Sequence, residues 1–309
     1  MITPSRKAPA PLVGIDELNA LHHHVLRRRS RRAAGAGTIM PGMQPAGGRG
    51  TGLDLIDTRP YQVGDDLRHL DWRATARCGK AMSKVFRPER ERSVFVAVDR
   101  GATMAFGTIR GLKAATAARC AAIVAFAAHY QRETVGGLIH DEETRFFVPS
   151  RRREQVWSLV QSAAAGLAMP TQPASPVSGK PIWEASAIRD GMAAPARNST
   201  VFILSDFFAL NAHNRQPLRE LARRRRVVAV RIWDRGELRL PHTGHLHVVD
   251  AQGQHGMRLD TREPRLHVEF AQRVQKRYDE IQSILRDSGA ITLELTSETD
   301  PLKVLEPWI

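Results

Sequence analysis

Twice along this chain a run of β-favouring apolar residues stops abruptly on a carboxylate. Val94-Phe95-Val96-Ala97-Val98 leads into Asp99, and Val201-Phe202-Ile203-Leu204 leads into Ser205-Asp206. Short apolar runs of this kind suit strands covered on both faces, as in parallel sheets. Between them, residues 111–131 are rich in Ala with no Gly or Pro inside the stretch, which reads as a helix that packs closely on a sheet. Further strands are expected at 135–140, 144–148 (a short edge strand), 227–233 and 291–295, with a hairpin excursion at 246–249 and 256–259. Helices are expected at 155–167, 182–192, 217–226 and from Pro264 to about residue 286, the last with Pro in its favoured first turn. Strands alternating with helices imply an α/β fold with a doubly wound, mainly parallel sheet of Rossmann type.

Upstream of residue 93 the pattern differs. A loose tail precedes a helix at 15–34, a Gly-rich loop covers 35–52, and a compact polar segment runs to Arg92. This divides the chain into a basic N-terminal module, 1–92, and an α/β domain, 93–309. The net charge is +14, and 17 basic against 9 acidic residues fall within 1–92. Such a field attracts nucleic acid, anionic lipid or acidic protein surfaces. Yet 39 of the 46 basic residues are Arg, beside abundant Ala, a bias that genome base composition also produces. The longest apolar run, 120–128, is half of a membrane span, and the N-terminus lacks a leader pattern. Cys78 and Cys120 cannot form a disulfide scaffold, so a reducing cytoplasm is the expected location.

Asp99 and Asp206 fall at the carboxyl ends of their strands, where open α/β sheets bind ligands. A carboxylate leaving a central strand needs a cation or loop amides. The sequence leaves three outcomes open: a hard divalent ion held by oxygen ligands, a Lys or Arg counter-ion, or no functional site.

At these residues the chain resembles known proteins. Asp99-Arg100-Gly101-Ala102-Thr103-Met104, followed by Phe106-Gly107, resembles the Asp-x-Ser-x-Ser loop of von Willebrand factor A (vWA) domains. Ser205-Asp206 resembles the later Asp of their metal-ion-dependent adhesion site. More specific is the series Arg59-Pro60-Tyr61, Gly64-Asp65-Asp66, Arg68, Asp71-Trp72, Ala76-Arg77, then Lys84, Phe86 and Glu89. It resembles the signature of domain-of-unknown-function family 58, vWA-like proteins often encoded beside MoxR-type AAA+ ATPases. The resemblance spans residues 15–295. It implies a vWA-like sheet, a Mg2+ site at Asp99, Thr103 and Asp206, and a MoxR-type ATPase as partner. Two departures stand against the metal. Gly101 replaces the middle hydroxyl, and Gly179-Lys180-Pro181 stands where the third loop supplies Thr. An ammonium at Lys180 would neutralise Asp99 and Asp206 directly.

The signature segment has physics of its own. Gly64 allows a turn with positive φ. Asp65 or Asp66 can cap the turn that follows. Arg59, Arg68 and Arg77 offer planar forks for Asp66, Asp71 or a partner carboxylate, and Trp72 offers surface to bury. Arg59, Tyr61, Asp65, Asp66, Arg68, Asp71, Trp72 and Arg77, with Lys180, form the expected partner-binding set. The alternative is that the cluster staples the N-terminal module to the α/β domain.

Other candidates fall away. His22-His23-His24 point in different directions on a helix. His242, His245, His247 and His255 lack a completing Cys or carboxylate for zinc. The Gly-rich loop lacks a phosphate-loop ending, and no Gly-x-Ser-x-Gly elbow occurs. Nothing supplies an acid, a base and an oxyanion donor together, so no enzymatic activity is expected. The leading expectation is an adaptor in a chaperone-like or assembly role beside the ATPase, its client unidentified. Nucleic-acid binding through the basic module ranks second, because the segment lacks aromatic interleaving and any recognised motif.

Overall fold

The structure is a computed structural model that describes residues 10–34, 53–88, 92–108, 111–141, 143–167, 182, 199–213, 215–249 and 256–308. The chain forms two compact units, residues 37–91 and the remainder. This corrects the expected 1–92 boundary. The first helix, α1 (Ile15–Ala34), buries Leu18 and Val25 in the core of the larger unit, so it is no part of the smaller one. An amphipathic stripe shows that a helix needs a partner but does not say which element supplies it.

In the smaller unit, β1 (Leu53–Pro60) and β2 (Met82–Pro88) pair antiparallel, and the helix α2 (Trp72–Cys78) lies in the connection between them. Gly64 adopts φ 109°, the left-handed turn conformation expected of it. Gly79 ends α2 with φ 66° and donates its N–H to Thr75 O.

The larger unit continues with β3 (Ser93–Asp99), α3 (Lys113–Tyr130), β4 (Thr134–His140), β5 (Thr144–Ser150) and α4 (Arg153–Ala164). Then follow β6 (Ser199–Ser205), α5 (Gln216–Arg224), β7 (Arg226–Trp233), and the antiparallel hairpin of β8 (His245–Val249) and β9 (Gly256–Asp260). The long helix α6 (Pro264–Ser288), β10 (Ile291–Thr296) and the short α7 (Pro301–Leu305) complete it. Among the described residues six strands form one sheet in the order β10-β7-β6-β3-β4-β5, all parallel except β5 at its edge. The doubly wound, mainly parallel α/β sheet read from the sequence is therefore present. The expected helix at 182–192, apart from residue 182, and the loop at 35–52 lie outside the described residues.

The sheet is covered on both sides, which is why its central strands read as unbroken apolar runs. Val94, Val96 and Val98 face a core built with α3 and α4, whereas Phe95 and Ala97 face the core built with α5 and α6. Alternate residues of a strand point to opposite faces, so one strand feeds both cores. Alanines let α3 lie close to the sheet. Gly137 in β4 leaves room for α4, since a Cβ there would stand 2.7 Å from Leu159 Cδ1 and 2.4 Å from Val96 O of the neighbouring strand.

Strand order fixes where a site can form. From β3 the chain winds outward through β4 and β5, then returns to the other side of β3 for β6, β7 and β10. The reversal falls between β3 and β6. Connections leave these neighbours in opposite directions there, opening a crevice beyond their carboxyl ends. Asp99 ends β3 and Ser205 ends β6.

Candidate functional site

The two strand-end carboxylates meet at that crevice. Asp99 Oδ2 accepts a 2.6 Å hydrogen bond from Ser205 Oγ, and its Oδ1 accepts one of 2.9 Å from the Gly101 N–H. Asp206 Oδ1 accepts from the Phe208 N–H at 2.9 Å. The backbone turn that aims Asp206 runs through Phe207, which holds φ 58°, a left-handed conformation costly for a bulky residue. Phe207 is kept there by a wholly buried ring and by its N–H, which donates to Ser205 Oγ at 3.0 Å.

The cation facing Asp206 is Lys113, the first residue of α3. Its side chain is 0% exposed, and Nζ donates to Asp206 Oδ2 at 2.7 Å and to Glu237 Oε1. Burial alone would pull this ammonium down, but the charges and hydrogen bonds of Asp206 and Glu237 outweigh it and hold it above its ordinary value. Glu237 is fixed in turn, because its Oε2 accepts from the Asp234 N–H at 2.9 Å in a capping box. Asp234 accepts from the hydroxyls of Thr108 and Ser297 and from the Gly236 N–H at 2.8 Å. Burial would raise this carboxyl, and those donors pull it below its usual range.

Register extends the polar set along the rim. His140 of β4 lies opposite Asp99, and Arg231 of β7 lies opposite both Ser205 and Glu294 of β10. The Arg231 guanidinium stacks on the Tyr278 ring, 3.9 Å from its centroid, with Glu294 at 3.6 Å.

Burial and the neighbouring Asp206 carboxylate push Asp99 up to about 6, against the opposing pull of Ser205, Gly101 and His140. A carboxyl raised in this way binds a proton more readily folded than unfolded. Its contribution to stability is present below pH 4 and is lost as pH rises through 6. Asp99→Asn mimics the protonated form. It is expected to remove about 2–3 kcal/mol of the wild-type stability change between pH 4 and 7. Urea unfolding at the two ends of that window measures it, and a variant that keeps the wild-type pH slope would refute the assignment.

The residues present do not fit the divalent ion that a vWA-like rim implies. Position 101 carries no hydroxyl, and both Asp99 oxygens already accept hydrogen bonds. One Asp206 oxygen takes a backbone N–H and the other an ammonium. Thr103, in the 3-10 turn after β3, hydrogen-bonds neither carboxylate. Among the described residues no group of three His, Cys, Asp or Glu stands ready to hold a metal. Lys180 lies outside the described residues.

Of the sequence-derived rim residues, then, Asp99 and Asp206 are brought together. Lys113, Glu237, Asp234, Thr108 and Arg231 were not foreseen. Two signals were available. Lys113 is a cation opening an Ala-rich helix, at the end where the dipole disfavours positive charge. Asp234-Arg235-Gly236-Glu237 carries the spacing of a capping box.

The signature residues lie in the smaller unit, where its carboxylates are engaged internally. Arg59 donates to Asp65 at 2.5 Å, Asp66 caps the 3-10 turn Leu67–His69, and Asp71 caps α2 through the N–H groups of Arg73 and Ala74. Tyr61 is half-buried and anchored by its N–H to Ala81 O. Arg77 donates to Arg73 O at 3.3 Å, Arg68 is exposed, and Trp72 is 72% exposed.

The remaining candidates are structural. His22 sits against Tyr130, Phe126 and Trp157, with Nε2 2.7 Å from the Tyr130 hydroxyl. His242 stacks on His267, and His255 lies outside the described residues. The Cys120 thiol is pushed up to about 12 by burial. Among the described residues no helix is long and apolar enough to cross a membrane.

Comparison with known proteins places this geometry in a family. "Uncharacterized protein Rv1480" of Mycobacterium tuberculosis is 27% identical over 252 residues, covering 81% of this chain and 77% of that protein. "Uncharacterized protein Mb1516" of Mycobacterium bovis matches to the same extent. Among solved structures, BatB from Bacteroides thetaiotaomicron is similar at 12% identity and a TM-score of 0.43, over 66% of this chain and 90% of that one. A von Willebrand factor type A protein from Catenulispora acidiphila is similar at 9% identity and a TM-score of 0.37, over 74% of this chain and 43% of that one. The profile of "Protein of unknown function DUF58" matches residues 57–280, a span that runs from the signature segment through Asp99, Lys113, Asp206 and Glu237 into α6. The chain belongs to the DUF58 family.

Proposed function

We propose that this chain is a non-catalytic interaction protein of the cytoplasm whose sheet rim docks onto another protein, working beside a MoxR-type AAA+ ATPase in a chaperone-like or assembly role. One observation carries the reading. The polar groups at the switch point are committed to each other, while two aromatic rings hang exposed from the loops that enclose them. Ser205 and Lys113 are wholly buried and hydrogen-bonded, so neither is poised as a nucleophile or a base. Phe106 is 41% exposed, and its carbonyl accepts the Lys113 N–H at 2.8 Å. Phe208 is 56% exposed, and its N–H donates to Asp206. The two rings thus extend from loops whose backbone is hydrogen-bonded to the two members of the buried ion pair. Aromatic side chains on a fixed platform are the usual anchors of protein interfaces.

The ATPase enters through the family resemblance. Affinity purification of the tagged full chain, with and without ATP, followed by mass spectrometry tests the whole reading. The expected catch is an AAA+ ATPase, reduced at least about fivefold by Phe106→Ser with Phe208→Ser, as for loss of an interface hot spot. Recovery of ribonucleoprotein alone, or a catch indifferent to both substitutions, would overturn it.

A further inference from the structure

We propose that Lys113 is a resident counter-ion standing where a metal-ion-dependent adhesion site holds its divalent cation, so that this rim is assembled without metal.

The argument begins with placement. A lysine in the first turn of a helix meets the positive end of the dipole, and a lysine with no exposed surface gives up its hydration. Both costs are met only because the ammonium reaches two carboxylates from different parts of the fold. One follows β6 and the other lies in the turn after β7. The side chain thus ties α3, which follows β3 on one side of the crevice, to the loops after β6 and β7 on the other. A divalent ion does the same work by collecting oxygen ligands from several loops.

The donor set has been altered to suit. An ammonium offers three donors and needs acceptors only, so Asp206 and Glu237 suffice for its charge. Gly101 removes a hydroxyl that a metal would use, and Asp99 turns to Ser205 and the Gly101 N–H. The second consequence rests on the docking role proposed above. A surface metal with an open position can take a carboxylate from a partner, whereas an ammonium without exposed area cannot. A partner would meet Phe106, Phe208 and the partly exposed Glu237 instead, which favours an apolar or basic contact over an acidic one.

The test needs no partner, so its outcome is independent of the docking proposal. Wild type, Lys113→Ser and Asp206→Asn are titrated with Mn2+, followed by electron paramagnetic resonance and calorimetry. Wild type is expected to stay silent at millimolar Mn2+. Folded Lys113→Ser, with Asp206 and Glu237 released to a cation, is expected to bind at least about tenfold more tightly. Sub-millimolar binding by wild type that Asp206→Asn abolishes would overturn the proposal, as would a folded Lys113→Ser variant as silent as wild type. Should that variant not fold, the wild-type thermal midpoint decides. Equal midpoints in millimolar Mg2+ and in chelator support a resident ammonium. A rise in Mg2+ that Asp206→Asn removes refutes it.

Discussion

Lys113→Met is expected to lower the unfolding free energy by about 3–5 kcal/mol, the cost of removing one partner from a buried ion pair. Methionine fills the channel of the lysine stem, so packing changes little. What changes is charge. Asp206 and Glu237 lose their shared cation, and Asp206 faces Asp99 without compensation. Pairing Lys113→Met with Asp206→Asn removes the stranded carboxylate and is expected to return part of the loss. That non-additivity separates an electrostatic cause from a packing one. Urea unfolding of the four proteins of this cycle at neutral pH measures it. A loss below about 1 kcal/mol for the single variant, the value of an exposed pair, would show that the ammonium is not a buried counter-ion.

Arg100→Ala is expected to cost about 2–4 kcal/mol, from several charge-assisted hydrogen bonds and the carbonyls left unsatisfied behind them. Arg100 is buried and lies between Asp99 and Gly101 in the first rim loop. Its guanidinium donates to the carbonyls of Ser162, Ala163, Ala165 and Gly166 at 2.5 to 3.3 Å. These carbonyls belong to the last turn of α4 and to the two residues that follow it, a helix end where orphan carbonyls and the dipole both favour a cation. The residue thus fastens the loop carrying Asp99 to the end of α4. Arg100→Lys keeps the charge but lacks a fork that spans four acceptors, so it is expected to recover less than half of the stability. Hydrogen exchange should speed up first at the end of α4. Full rescue by lysine would mean that the charge alone matters.

The strands of the larger unit were legible because burial on both faces leaves a plain mark, an apolar run with no alternation. The runs at 94–98 and 201–204 became β3 and β6, and the polar end of each marked the rim. The small unit was harder to read. Asp65, Asp66 and Asp71 look like charges awaiting a partner, yet each answers a neighbour within six residues. The place of α1 was illegible for another reason. Its apolar stripe fits any apolar groove, and only folding presents it to the core around α3.

The sequence by itself determined that this chain builds a covered parallel sheet and that two of its strands deliver carboxylates to one rim, since period and strand polarity are local properties. Which cation answers Asp206 was decided only in three dimensions. Lys113 lies 93 residues from Asp206 and 124 from Glu237. No local pattern relates such distant positions. The strand order brings them together, and with water excluded around them the pairing becomes compulsory.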